Sequence, residues 1–213
     1  MMKSWAADHP KAKLMGKKRA AILSAAREAF LSCGYEKASM EAIAAAAGVS
    51  IMTLYRHART KDGLFEAIVS EICAPNAGSE AARAAEAVLA QPLVDILTFI
   101  ADRFRERMMH PETLGLLRAV MVERTHFPHL GEMAFEGLIA SHIRQMETFI
   151  ASRPEATDAP EERRSELVAA FFDRLMGTDQ LKALLGLPSD DSEASRSLSN
   201  RAARDFVEAL ARG

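Results

Sequence analysis

Proline divides this sequence into segments of helical length. Most prolines are predicted to mark helix starts or linkers, because proline is tolerated in the first turn of a helix but breaks its interior. Between them, apolar side chains recur at three- and four-residue spacing, and no alternating strand-like run bounded by turn residues is found. The pattern therefore predicts an all-α fold. The eight prolines stand at positions 10, 75, 92, 111, 128, 154, 160 and 188.

Four helices are predicted before residue 75. The first begins at residue 17 and ends at Gly34, since glycine accepts the left-handed conformation that closes a helix. The next three span about 40–48, 51–57 and 61–72. A hydroxyl side chain precedes each of these three and suits an N-cap, namely Ser39, Ser50 and Thr60.

The remaining sequence predicts a larger helical body. Residues 75–79 form the clearest linker, and residues 151–160 are expected to form a mobile loop. The helices of the body are expected at about 79–90, 92–109, 111–124, 128–150, 161–176 and 192–211.

Charge is distributed unevenly along the chain. The net charge is −2, but residues 1–61 hold 11 Lys and Arg against 4 Asp and Glu, and the remainder is acidic. A basic N-terminal module on an acidic body suits a polyanionic partner such as DNA. The alternative is a solvated surface whose charges happen to be uneven.

Several protein classes are disfavoured by composition. No apolar run reaches the ~18 residues that span a bilayer, and the first residues lack the apolar segment of a secretory signal. Cys33 and Cys73 are too few for a disulfide framework, so buried inert thiols are expected rather than a redox pair. We therefore expect a cytoplasmic protein with no membrane partner.

The segment from Ser39 to His57 predicts a helix-turn-helix. Gly48 suits the left-handed turn between two short helices, and Leu54 is expected to face the core. The second helix would then present an outer surface to the major groove of DNA. A helical corner in some other small domain is the alternative. The outer side chains are Ile51, Met52, Thr53, Tyr55 and Arg56.

Several short motifs lie within residues 17–72. They are Gly34-Tyr35 with Ala38-Ser39, then Ile43-Ala-x-x-Ala-Gly-Val-Ser50, Thr53-Leu-Tyr-x-His57 and Thr60-Lys61-x-x-Leu64-Phe65. In order and spacing these motifs resemble the DNA-binding domain of the TetR family. The resemblance implies phosphate contacts from Ser39, Ser50, Thr53, Tyr55, His57 and Lys61. It places Ile51, Met52 and Arg56 at or beside the bases. The family usually has an aromatic residue where Ala58 stands, and small or polar residues at positions 51 and 52.

The resemblance also implies a division into functional parts. Residues 1–16 would be a flexible basic tail, or an arm that follows the DNA. The helix-turn-helix domain would occupy 17–60, a connecting helix 61–74, and a ligand-binding and dimerisation domain 75–213. The stretch from His110 to Leu130 resembles AefR-like members of the family, with its proline-led helix, Leu-Leu-Arg core and Phe-Pro turn.

Two sets of body residues are predicted to serve these roles. The candidate ligand pocket consists of Phe104, Met108, Leu117, Met121, Phe127, Phe135, Ile139 and Phe172, although each of these side chains alone suits an ordinary core. The candidate dimer interface consists of Phe171, Leu175, Leu198, Ala202, Phe206 and Leu210 in the last two helices, with internal packing as the alternative.

No cofactor or metal is expected. Glu123, His126 and His129 have a one-turn spacing, but Pro128 interrupts a regular helix there and no Cys or Asp completes a ligand set. The predicted function is a ligand-responsive repressor that binds a pseudo-palindromic operator as a homodimer and is released by a small, largely apolar molecule. The alternatives are a sequence-indifferent architectural DNA-binding protein and an α-helical enzyme. No phosphate loop or nucleophile motif favours an enzyme.

Overall fold

The computed structural model describes residues 10–73, 91–188 and 192–212. Within these ranges every regular element is a helix, which confirms the all-α prediction. The linker at 75–79, the helix predicted near 79–90 and residues 1–9 of the predicted tail lie outside the described residues. No described helix is both long and apolar enough to cross a bilayer.

The helices follow the predicted order closely. They are α1 (Pro10–Lys37), α2 (Met40–Ala46), α3 (Ile51–His57), α4 (Lys61–Cys73), α5 (Leu93–Met109), α6 (Pro111–Glu123), α7 (Pro128–Phe135), α8 (Ser141–Ala151), α9 (Glu161–Leu184) and α10 (Ser192–Ala211). A π turn at Glu136–Ala140 joins α7 to α8, so the helix predicted over 128–150 continues through a local widening.

The chain divides into two compact units. The first comprises residues 1–73 and 118–133, and α1 packs on α4 within it. Its core includes Ile22, Ala26 and Phe30, which repeat at four-residue spacing on one face of α1 and are almost fully buried. In the same unit Cys73 is buried as expected, whereas Cys33 is exposed, which corrects the prediction for that thiol.

One end of α1 differs from the prediction, and the other agrees with it. The helix begins at Pro10, seven residues before the expected start, because a proline at the first helical position needs no backbone donor. Residues 10–16 are therefore helical rather than part of a flexible tail. At the other end Gly34 has φ 80°, so the regular helix breaks at the predicted glycine.

The second unit comprises residues 74–117 and 134–213. In it α10 packs on α5 and α9, and α9 also packs on α5 and α8. Ser199 and Ala203 on α10 are completely buried, and such small side chains let helices approach closely. The predicted end of α9 at residue 176 coincides with Gly177, where φ is 40° and the helix breaks before continuing to Leu184.

The loop between α8 and α9 is packed, which corrects the expectation of a mobile segment. A 3₁₀ turn at Pro154–Ala156 lies against α10. Ala156 and Ala159 are buried, and the Thr157 hydroxyl donates to the Pro154 carbonyl at 2.8 Å. Two small apolar side chains thus anchor a segment whose composition resembles that of a linker.

Five of the six residues predicted at the dimer interface are core residues of a single chain. Phe206 is 3% exposed and meets Phe171 edge to face, with ring centroids 5.9 Å apart. Side chains enclosed in this way have no surface to offer a second copy, so their assignment to a two-fold contact is corrected. The five are Phe171, Leu175, Ala202, Phe206 and Leu210; Leu198 is partly exposed.

Candidate DNA-binding interface and effector region

The turn between α2 and α3 has the geometry that its sequence predicts. Gly48 has φ 64°, in the left-handed region. The N–H of Val49 donates to the Ala44 carbonyl at 3.0 Å, and the N–H of Gly48 donates to that of Ala45 at 3.1 Å. These bonds satisfy carbonyls at the end of α2 while the chain reverses into α3.

Both helices of the motif begin with a serine cap. The Ser39 hydroxyl accepts from the N–H of Ala42 at 3.1 Å, and the Ser50 hydroxyl accepts from that of Thr53 at 3.2 Å. Ser50 and Thr53 also share a hydroxyl hydrogen bond of 2.9 Å. Three side chains predicted at phosphates therefore help to define the two helix starts, and all three lie at the surface or partly exposed.

The outer surface of α3 is built as predicted. Leu54 is completely buried and anchors the helix to the first unit. Met52 is 76% exposed, Tyr55 and Arg56 are exposed, and Ile51 and Thr53 are partly exposed. The Tyr55 hydroxyl has no hydrogen-bond partner among the described residues. The helix thus offers one apolar, one phenolic and one cationic side chain to a groove.

His57 stands at the end of α3 in a basic environment. Its Nε2 is buried without a hydrogen-bond partner in the described structure. Desolvation lowers the pKa of His57 below its usual value, and the charges of Arg56, Arg19 and Lys18 lower the pKa further. Lys18 and Arg19 on α1 therefore add positive charge beside the end of α3. They are not among the DNA-binding residues predicted from sequence, although the Lys-Lys-Arg run at 17–19 is a visible signal.

Lys61 has a structural role that the sequence did not reveal. Its ammonium donates to the Glu36 carbonyl at 3.1 Å and lies 4.4 Å from the centre of the Tyr35 ring. The Tyr35 hydroxyl donates to the Asp62 carboxylate. These contacts hold the start of α4 against the last turn of α1. A phosphate contact by Lys61 stays a prediction.

The lowered pKa values of two histidines predict how the stability of the protein depends on pH. Burial lowers the pKa of His142, as it does for His57, and the charge of Arg107 adds to the shift. Both folded-state pKa values lie below the unfolded ones, so the unfolded chain binds these protons more readily. Stability from these groups is present above about pH 6.5 and is lost as the pH falls.

We therefore expect the urea midpoint to decrease between about pH 7.5 and pH 5.5. The double variant His57→Gln, His142→Gln should show a smaller decrease across the same interval. An equal decrease in variant and wild type would assign the pH dependence to other groups.

The residues predicted to form the ligand pocket do not line a single cavity. Phe104 and Phe172 are buried in the second unit, with centroids 4.8 Å apart, and Met108 is buried in the same unit. Leu117 and Ile139 are partly exposed, and Met121 and Phe135 are exposed. Helical periodicity predicted Met121 and Phe135 inside, but both side chains lie at the surface.

Phe127 belongs to a different aromatic cluster. In the first unit its ring contacts Tyr35 at 5.0 Å and Phe65 at 5.9 Å, and Phe30 contacts Phe65 at 5.1 Å. This corrects its assignment to the effector pocket. In the second unit the His142 ring lies 5.6 Å from that of Phe104, centroid to centroid, and this imidazole is not among the pocket residues predicted from sequence. A surface depression of 340 Å³ lined by Ser141, Arg144, Gln145 and Thr148 includes none of the predicted pocket residues.

Three solved structures share this fold. A proposed TetR-family regulator from Mesorhizobium loti MAFF303099 matches with TM-score 0.75 and 23% identity, covering 91% of this chain and 96% of that one. The flavonoid-responsive regulator FrrA matches with TM-score 0.68 and 25% identity, covering 91% and 97%. A TetR regulator from Agrobacterium tumefaciens matches with TM-score 0.66 and 18% identity, covering 90% and 93%.

Family models account for both parts of the chain. The model of bacterial regulatory proteins of the tetR family matches residues 22–68, which contain the helix-turn-helix. The model of the C-terminal domain of AefR-like transcriptional repressors matches residues 95–203, half of the chain. No protein of curated function matches significantly. The sequence motifs, the helix-turn-helix geometry and both models agree, and this protein belongs to the TetR family of DNA-binding transcriptional regulators.

Proposed function

We propose that this protein is a cytoplasmic repressor that binds a pseudo-palindromic operator as a homodimer and is released by a small, largely apolar molecule. The surface of α3 carries the proposal. Exposed Met52, Tyr55 and Arg56 occupy a helix that is held by a buried leucine and a serine cap. The charges of Lys18 and Arg19 on α1 act on His57 at the end of this helix. In this arrangement Arg56 would contact a base edge, Met52 a thymine methyl group, and Tyr55 a phosphate.

Selection from a random DNA library tests the proposal against an architectural role. A repressor of this type should enrich two inverted half-sites whose centres are about one DNA turn apart, ~34–36 Å. Enrichment of no motif, together with equal affinity for all fragments at fixed salt, would favour the architectural alternative.

Tyr55→Phe should weaken operator binding by about 1 kcal/mol, which is about fivefold. The substitution removes a hydroxyl that has no partner in the described protein and is therefore available to a phosphate. Fluorescence anisotropy with a labelled operator at fixed salt measures the effect, and an unchanged urea midpoint is the control for folding. Equal operator affinity in both proteins would remove Tyr55 from the interface.

The dimer is proposed to form through the end of α9 and the residues that follow it. Leu181, Leu185 and Leu187 are 57%, 67% and 55% exposed, and Leu181 and Leu185 lie one helical turn apart. Three large apolar side chains within seven residues are unusual on a free surface. A second copy is the occupant we propose, because two inverted half-sites require two recognition helices.

Leu181→Glu, Leu185→Glu should yield a folded monomer. The charges would lie in an apolar contact between two copies, while the single chain loses no buried side chain. Sedimentation equilibrium at micromolar concentration gives the mass, and circular dichroism reports the fold. Val122→Glu is the matched control, since Val122 is an exposed apolar residue of the other unit. A double variant that remains dimeric would place the contact elsewhere.

The effector is proposed to be a small aromatic or otherwise largely apolar molecule. FrrA responds to flavonoids, and the second unit of this chain contains Phe104, Phe172 and His142 in ring contact. A planar ligand could insert among these rings if the ligand-bound conformation separates them. Release from DNA requires the ligand to bind that conformation more tightly than the DNA-bound one.

A flavonoid panel tests this part of the proposal. At least one compound should raise the melting temperature and lower operator affinity, and Phe104→Leu should reduce both effects. A compound that stabilises the protein without changing operator affinity would contradict its role as an inducer.

A further inference from the structure

A buried carboxylate, an exposed carboxylate and an imidazole meet in the first unit. Glu36 lies in the last turn of α1, Glu123 ends α6, and His126 lies in the turn before α7. One ligand atom from each of the three lies within 4.8 Å of the other two. The helix-turn-helix does not use this group of residues.

Aromatic packing explains why residues so far apart in sequence meet. Tyr35 and Phe127 contact each other edge to face, with ring centroids 5.0 Å apart, and Phe127 is buried. Glu36 directly follows Tyr35, and His126 directly precedes Phe127. The ring contact therefore holds the backbones of two members of the group close together, beside the side chain of Glu123.

Glu123 has an unusual environment for a carboxylate. It is only 4% exposed, and no Lys or Arg forms an ion pair with it among the described residues. Among the described residues, its carboxylate has one side-chain partner, a 3.3 Å approach of Oε2 to Nδ1 of the exposed His126, which is itself a member of the group. Burial of an ionised carboxylate is costly unless a cation balances its charge.

The neighbouring donors point to other acceptors. The single hydroxyl proton of Tyr35 is donated to the Asp62 carboxylate. Lys61 is close by, but its ammonium donates to the backbone carbonyl of Glu36. A cation at the three side chains would supply the missing positive charge.

We propose that Glu36, Glu123 and His126 bind one divalent transition-metal ion, with water completing its coordination. Two carboxylates neutralise a 2+ ion. One imidazole favours zinc or iron over magnesium and calcium, and the two carboxylates also suit manganese. Ligand atoms bound to such an ion lie about 2.0–2.2 Å from it. Glu36 and His126 are exposed, so rotation of their side chains can bring the three ligand atoms to that distance.

The ion would tie the end of α1 to the turn between α6 and α7. Both segments belong to the first unit, which also contains the recognition helix, so metal binding would stiffen the support of that helix. The site itself does not rest on the proposed repressor function, because metal binding is measured without DNA.

Calorimetric titration of the tag-free, chelator-treated chain with ZnCl₂ and with MnCl₂ tests the proposal. One ion per chain should bind. His126→Ala and Glu123→Gln should weaken binding at least about tenfold, since each removes a ligand. His129→Ala is the matched control, because His129 is an exposed histidine three residues away that pairs with Glu66 at 2.9 Å, and this variant should bind within about twofold of wild type.

Thermal unfolding provides a second measurement. The ion that binds should raise the melting temperature of wild type and of His129→Ala but leave that of His126→Ala unchanged. Because the His126 ring is exposed, its removal should not unfold the chain, and circular dichroism checks this. The proposal is overturned if wild type binds neither ion, or if His126→Ala binds as tightly as wild type.

Discussion

Phe206→Glu is expected to unfold the protein rather than separate two folded subunits. Phe206 is 3% exposed on α10, which packs on α5 and α9, and its ring meets that of Phe171. Loss of a buried phenylalanine costs about 3–5 kcal/mol, and burial of a carboxylate adds to that cost. A domain with about 5–15 kcal/mol of total stability loses most or all of it. Circular dichroism and urea titration measure the loss.

Phe206→Leu is the matched control for this variant. It keeps an apolar side chain at the position, so it should fold with a loss of about 1–2 kcal/mol. Comparison with Leu181→Glu, Leu185→Glu then separates core from interface, since only that pair should give a folded monomer. A folded, monomeric Phe206→Glu protein would contradict the placement of this side chain in the core of one chain.

Arg105→Ala is expected to remove about 3–5 kcal/mol of stability. The Arg105 side chain is only 7% exposed, donates through Nη1 to the Leu175 carbonyl at 2.7 Å, and reaches Asp179 at 3.5 Å through Nη2. Leu175 lies just before the break at Gly177, and its carbonyl accepts this buried hydrogen bond from the guanidinium. Removal of Arg105 deletes that bond and leaves the partly buried Asp179 carboxylate without this cation.

Urea titration of three proteins measures this effect. Arg105→Lys should lie between wild type and Arg105→Ala, because an ammonium keeps the charge but cannot form the two-pronged contact. Arg103→Ala is the surface control: Arg103 pairs with Glu106 in solvent, and such pairs contribute little. If Arg105→Ala and Arg103→Ala have the same midpoint, the capping role of Arg105 is wrong.

The helix-turn-helix could be predicted from sequence because its determinants are local. Ser39 and Ser50 cap helices through bonds to residues three positions away, and Gly48 needs only its own freedom at positive φ. Leu54 is buried by the spacing of one short helix. Even the breaks at Gly34 and Gly177 occur at glycines that the sequence marks. Each of these features depends on interactions within one helical turn.

Which surface each apolar helix face packs against could be seen only in the tertiary structure. Periodicity identified Phe171 and Phe206 as members of apolar faces, but it could not distinguish the core of one chain from a contact between two. The same ambiguity assigned Phe127 to a pocket, whereas its ring packs with Tyr35 and Phe65. The free energy gained by burying an apolar face depends on the area removed from water and not on which apolar surface covers it. The sequence pattern therefore does not predict the partner of that face.

The sequence by itself thus determined the all-α fold, most of the helices, the family and the exposed face of α3. Only the tertiary structure decided that Arg105 caps a carbonyl 70 residues away and that Glu36 meets Glu123 and His126. The physical reason is the range of the forces involved. Caps, turns and helical faces follow from bonds between neighbours in the chain, whereas a buried charge finds its partner only after distant helices have packed.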